Sequence, residues 1–156
     1  MAIAFNLRQY LEQVGVEYRL VKHGRADGGQ RCAEAAHVSG TQLAKPVVFM
    51  VEKGRYVMAV VPASNTVDAS RLSAELHRDL SLAHENELPR LFRDCARGAV
   101  PPVGQAYGVE VLWDEDLSRC KEVYFEAGNH TELVQVSGSD FRRLMTGMER
   151  VPLSAR

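Results

Sequence analysis

The apolar positions near the start of the chain, Phe5, Leu7, Tyr10, Leu11 and Val14, recur at helical spacing, and Gly15 follows where helices commonly end. This pattern predicts a short amphipathic helix. Val16 to Val21 has the alternating, β-branched character of a strand and runs into a glycine-rich polar loop from His23 to Gly29. From Gln30 to Val38 the alanines and a glutamate favour a second helix, closed by Ser39 and Gly40. Val47 to Val51 is continuously apolar and Tyr56 to Val61 nearly so, with a Gly-containing turn between them, which predicts a central hairpin covered on both faces. Asp68 can cap a helix that carries Ala69, Leu72 and Leu76 on one side, and a further short helix is expected between Ser81 and Phe92, with Asn86 as a second candidate cap and Pro89 tolerated in the first turn. Asp94 to Gly108, with three glycines and the pair Pro101 and Pro102, reads as a shaped loop. Val109 to Trp113, Glu122 to Phe125 and Leu133 to Val136 read as strands, and Asp140 to Met145 as a closing helix.

Strands and helices without strict alternation indicate an α+β domain with a central mixed, mostly antiparallel sheet flanked by short helices. A length of 156 residues, 46% hydrophobic and 25% charged, suits one domain spanning 1–156 with a core of its own. The formal net charge of -1 argues against a protein that holds long nucleic acid by bulk charge and leaves room for a local basic patch. No apolar run approaches the roughly 20 residues needed to cross a bilayer, and the N-terminus lacks the marks of a signal peptide, so no membrane partner and a cytoplasmic address are expected. Cys32, Cys95 and Cys120 are widely spaced, which predicts reduced thiols rather than a disulfide framework or a metal knuckle.

Candidate chemistry is sparse. Gly40 followed by Lys45 invites comparison with a phosphate-binding loop, but Ala44 and Pro46 replace the second glycine and the magnesium-binding hydroxyl, and a strand follows instead of a helix. What remains is a lysine at the mouth of an apolar strand, to be read either as a snorkelling surface cation or as a contact to an anionic ligand. His130 ends a short glycine turn between two strands, a place where a loop presents a group over a rigid sheet. His23, His37, His77 and His84 have no partner at HxxxH or HExxH spacing, so neither a metal nor a cofactor is expected. Asp114, Glu115 and Asp116 could serve acid–base chemistry or metal binding, although three acids at a strand end more often form a solvated turn. Arg90, Arg93 and Arg97 fall near one helical face, as a phosphate-facing patch or a solvated one.

Three segments, Gly-Thr-Gln-Leu-Ala-Lys-Pro-Val-Val-Phe (40 to 49), Asp-Cys-Ala-Arg-Gly-Ala-Val-Pro-Pro-Val-Gly (94 to 104) and Tyr-Phe-Glu-Ala-Gly-Asn-His (124 to 130), occur in series. In this order they resemble the YbaK/EbsC-type proteins, free-standing relatives of the prolyl-tRNA synthetase editing domain, from about His23 to Leu144. The resemblance implies an aminoacyl-tRNA deacylase that acts in trans on tRNA mischarged with a small amino acid such as Ala, Cys, Ser or Thr. Lys45 would be the family's essential lysine, and Gly98 would begin its Gly-x-x-x-Pro loop. Ala99, Val100, Pro101, Pro102 and Gly104 would complete that substrate-facing loop. Gly128 and His130 would supply the Gly-x-His motif, and Asp114, with Asp116 as the alternative, the acidic position. The implied partner is the acceptor 3' end of aminoacyl-tRNA, with an aminoacyl-tRNA synthetase as a second candidate. A domain that keeps the pocket only to bind an aminoacyl or nucleotide ligand is the alternative reading.

Overall fold

The computed structural model describes residues 3–24 and 29–155, with side chains throughout except at 29–31. Its central sheet follows from the longest apolar run in the sequence. Strands β2 (Ala44–Glu52) and β3 (Arg55–Pro62) form the expected antiparallel hairpin, with Lys45 opposite Val61 and Phe49 opposite Val57. Along β3, Met58 and Val60 enter one core cluster while Val57, Ala59 and Val61 enter another, so the period-two alternation buries both faces.

Further elements complete a five-stranded mixed sheet. Strand β6 (Glu110–Asp114) lies parallel to β3, and β9 (Glu149–Val151) lies parallel to β6. On the other edge the two-residue β5 (Ser81–Leu82) pairs with the middle of β2, giving the order β5-β2-β3-β6-β9. A second, antiparallel sheet has the order β1-β8-β7, from β1 (Arg19–Lys22), β7 (Glu122–Glu126) and β8 (Glu132–Ser137). A small ribbon joins β4 (Thr66–Val67) to β10 (Ser154–Ala155). The two larger sheets meet where Leu43 bridges Tyr124 and the Tyr124 N–H donates to the Gln42 carbonyl, which sets the start of β2 against β7.

Helix α1 (Phe5–Val14) buries Leu7 and Leu11 and ends at Gly15 with φ 81°, as the spacing predicts. Helix α3 (Ala69–Leu76) is capped by Asp68, whose carboxylate accepts from Arg71 N–H at 3.1 Å, and it covers the outer face of the sheet with Leu72. Helix α5 (Gly138–Leu144) starts two residues before the expected position, because the Ser137 hydroxyl accepts from Asp140 N–H. Phe141 meets both Trp113 and Phe125 in the larger cluster, which also holds the α1 leucines.

Several expectations need correction. The first strand begins at Arg19 rather than Val16, and the second helix, α2 (Gly29–Ala36), stops short of Val38. The short helix expected between Ser81 and Phe92 is present as α4 (Leu88–Leu91), with Pro89 in its first turn, while Ser81 and Leu82 extend along β2. Within the loop 94–108, Gly104–Tyr107 form a 3₁₀ turn, and a second one spans Glu115–Arg119. Most of the loop expected between His23 and Gly29 lies outside the described residues. No helix among those described is long and apolar enough to cross a membrane.

Candidate active site

Lys45 is the second residue of β2, and Pro46 after it sits beyond the reach of the short edge strand β5, where a missing N–H costs no ladder bond. Its side chain is half-buried, and its Nζ donates to the Asn65 carbonyl at 2.8 Å. Burial holds its pKa below the ordinary lysine value. One hydrogen bond leaves two of the three ammonium donors for other acceptors.

Lys45 lines a cavity of about 230 Å³ together with Leu43, Ala44, Pro46, Val48, Leu88, Gly98, Val100 and Glu126. The walls are chiefly apolar, with one cation and one carboxylate. β2 supplies one wall, α4 contributes Leu88, and the loop after α4 contributes Gly98 and Val100.

Gly98 adopts φ 80°, a left-handed conformation that favours glycine, and a Cβ placed on it would lie 3.5 Å from His130 Cε1. The Gly98 loop and the His130 turn are therefore in contact. Ala96 N–H donates to the Gly128 carbonyl at 2.8 Å, and Ala99 N–H closes back onto the Ala96 carbonyl at 3.0 Å. Among the described residues the N–H groups of Gly98 and Val100 make no backbone hydrogen bond. Ala99, Pro101 and Pro102 are buried behind this segment rather than on the cavity surface.

The His130 turn is built by its neighbours. Asn129 Oδ1 accepts from the Thr131 N–H and hydroxyl, and Asn129 Nδ2 donates to Glu132. Gly128 has φ 100°, and a Cβ there would stand 2.6 Å from Ala4 Cβ, so only glycine lets the turn approach the start of α1. The Ala4 N–H donates to the Ala127 carbonyl and the Asn6 N–H to Asp94, so one helix entry braces both segments. Tyr107 also donates to Asp94, at 2.7 Å. Desolvation beside this pair pushes the Cys95 thiol up to about 12, which makes it a poor nucleophile.

Asp114 and Gly104 lie apart from the cavity lining. Asp114 is 1% exposed and accepts from four donors: Leu153 N–H at 2.7 Å, Ser154 N–H, the Ser154 hydroxyl and Asp116 N–H. It is thus no solvated turn residue. Ser154 Oγ in turn accepts from Asn65 Nδ2 at 3.0 Å, and Asn65 is the residue whose carbonyl holds Lys45. Asp114 stands behind Lys45, two residues removed. Asp116 pairs with Arg119 at the surface, and Gly104 packs tightly against Val109 and Val111. Arg90, Arg93 and Arg97 are exposed beside Leu88 and Gly98 and form no ion pair among the described residues.

Glu126 is the cavity residue that the sequence reading passed over. It ends β7, is 5% exposed and accepts from the Cys32 thiol at 3.1 Å. Its signal was a carboxylate closing an apolar strand immediately before the Ala-Gly-Asn-His turn.

Solved structures share this architecture. The hypothetical protein APE2540 superposes with a TM-score of 0.84 at 20% identity, over 96% of this chain and 99% of that one. A candidate trans-editing enzyme for prolyl tRNA synthetase superposes with a TM-score of 0.81 at 26% identity, over 98% of this chain and 97% of that one. No curated protein matches the chain. The sequence profile of the aminoacyl-tRNA editing domain matches residues 23–144, a span that holds Lys45, the Gly98 loop and His130 together. With its three motifs gathered about one cavity and that profile covering every strand from β2 to β8, the chain belongs to the aminoacyl-tRNA editing domain family, of the YbaK type.

Proposed function

We propose that this protein is a trans-editing deacylase that hydrolyses the ester of tRNA carrying a small amino acid, such as Ala, Cys, Ser or Thr. The observation that carries the reading is the cavity itself: a half-buried lysine and the Gly98–Val100 backbone border one small apolar space. Hydrolysing an aminoacyl ester requires a cation for the phosphate or ribose, donors for the developing oxyanion, and a pocket that measures the side chain. Lys45 supplies the first. The Gly98 and Val100 N–H groups supply the second. About 230 Å³ bordered by Leu43, Val48, Leu88 and Val100 supplies the third. One methylene too many costs about 1–3 kcal/mol in such a pocket, a discrimination of about 10–200-fold against the next larger residue.

Glu126 gives the substrate's α-ammonium a carboxylate partner on the cavity wall. The three exposed arginines near Leu88 and Gly98 suit acceptor-stem phosphates, and so limited a grip is compatible with a net charge of -1. Among the described residues the cavity lining holds no serine, cysteine or histidine, and Glu126 is its one carboxylate. The attacking water is therefore oriented by the neighbouring hydroxyl of the terminal ribose, with His130 shaping the loop behind Gly98. Rate then comes from positioning and electrostatic stabilisation.

The test is hydrolysis of a panel of mischarged tRNAs by the purified protein, followed by single-turnover assays on the best substrate with a 2'-deoxyadenosine terminus. Turnover confined to small amino acids and lost on the deoxy terminus is expected. Binding without turnover across the panel would instead favour a ligand-sensing module. Normal turnover of the deoxy substrate with an inactive His130→Ala protein would identify histidine as the base and overturn this mechanism.

A further inference from the structure

Three groups that share no sequence motif converge beside the cavity. His23 follows β1, Cys32 lies on α2 and Glu126 ends β7, and one ring nitrogen, the thiol sulfur and a carboxylate oxygen lie within 4.8 Å of one another. Cys32 is fully buried and Glu126 nearly so. His23 is tied to the sheet by its N–H, which donates to the Thr131 carbonyl at 2.8 Å.

The imidazole is arranged as a ligand. His23 Nδ1 is 2.6 Å from the Gly24 carbonyl, an acceptor only, so Nδ1 carries the proton and Nε2 keeps its lone pair. Nε2 is buried and has no hydrogen-bond partner among the described residues. A backbone carbonyl that fixes the tautomer while the other nitrogen faces inward is the usual support of a metal-bound histidine.

We propose that His23, Cys32 and Glu126 form a binding site for one zinc-class divalent cation on the wall of the cavity. Imidazole, thiolate and carboxylate together suit a borderline-soft ion, whereas magnesium and calcium select oxygen donors. A dication with one thiolate and one carboxylate makes a locally neutral complex, which suits a buried position. Binding replaces the proton that Cys32 shares with Glu126, and that proton leaves to solvent. Three protein ligands leave a fourth position for water or for a molecule in the cavity, since Glu126 belongs to both places. The sequence spacing hid this cluster because its members come from three elements of the fold.

The probe is cobalt(II), titrated into the full-length, reduced protein after chelator treatment. The expected result is a thiolate-to-cobalt charge-transfer band that saturates at one equivalent and is bleached by zinc. The band is lost in Cys32→Ser and retained when Cys95 and Cys120 are both changed to serine. His23→Gln, at a half-buried position, weakens cobalt binding by at least about tenfold while keeping the wild-type circular dichroism spectrum. It is also the decisive variant if Cys32→Ser does not fold. Absence of the band in the wild-type protein, a band that survives Cys32→Ser or depends on Cys95 and Cys120, or wild-type affinity in His23→Gln overturns the proposal. Because the readout is spectroscopic, its failure is separate from any failure of the deacylase reading.

Discussion

Replacing Asp114 by Asn distinguishes a residue that touches substrate from one that holds the site in place. Oδ1 accepts from Leu153 and Ser154 N–H at 2.7 and 3.1 Å, and Oδ2 accepts from the Ser154 hydroxyl and Asp116 N–H at 3.0 and 3.2 Å. In the best placement of the amide its oxygen keeps the first pair and its NH2 faces the second. Ser154 can turn its hydroxyl to accept, but Asp116 N–H then meets a donor. One bond is lost and the other three change from charge-assisted to neutral, for a total of about 2–3 kcal/mol. With a urea slope of about 2 kcal/mol/M for a domain of this size, the unfolding midpoint falls by about 1–1.5 M. The rate falls too, by up to about tenfold, because the chain from Asp114 through Ser154 and Asn65 sets the Lys45 ammonium. Urea unfolding monitored by Trp113 fluorescence, together with deacylation kinetics, supplies both readings. An unchanged midpoint accompanied by a raised KM would refute the reasoning and make Asp114 a substrate contact.

Four further outcomes are expected. Lys45→Ala leaves the fold intact and lowers kcat/KM by at least about a hundredfold, consistent with loss of a preorganised electrostatic group. Burial disfavours the Lys45 cation, so wild-type kcat/KM, corrected for spontaneous hydrolysis, falls as pH rises through a value below the ordinary lysine pKa; a fall only above that value contradicts the assignment. Stability changes in the opposite sense, because the unfolded chain holds this proton to higher pH and folding strengthens slightly across the same window. Gly98→Ala at φ 80° lowers kcat more than it weakens tRNA binding, measured by single-turnover rates and filter binding, whereas equal losses would indicate a binding loop only. Gly128→Ala destabilises by about 1–3 kcal/mol because its methyl meets Ala4, and Ala4→Gly recovers part of the loss in a double-mutant thermal melt; complete independence of the two changes would exclude this contact as the cause.

The sequence made legible those elements whose own residues decide them. The β2–β3 run is apolar enough to require cover on both faces, Asp68 carries its cap in its side chain, and Leu7 and Leu11 mark the buried stripe of α1. Strand β9 was not legible because two of its three residues are exposed and its extension is imposed by β6, a partner remote in sequence. The same holds for β5 against β2. Of the site residues, Lys45, Gly98 and Val100 reach the cavity and His130 stands against Gly98, because their motifs encode local geometry. Asp114 and Glu126 reverse the expected roles of the acids. Neither residue's surroundings can be read from its neighbours in the chain: the donors that consume Asp114 come mainly from the C-terminal segment, and the thiol beside Glu126 comes from α2.

The bond from Ala4 to Ala127, and the fit of Gly128 against Ala4, impose an order of assembly during synthesis. Helix α1 leaves the ribosome long before the turn that receives it, and its buried stripe of Leu7 and Leu11 must wait without its final cover. β6 likewise returns to β3 only after the whole Gly98 loop has been made, so the cavity closes late and through contacts distant along the chain. A nascent or truncated chain that stops short of Ala127 is therefore not a partly active protein. It carries an amphipathic helix whose apolar stripe has nowhere to dock, which makes such fragments clients for chaperones or seeds for association.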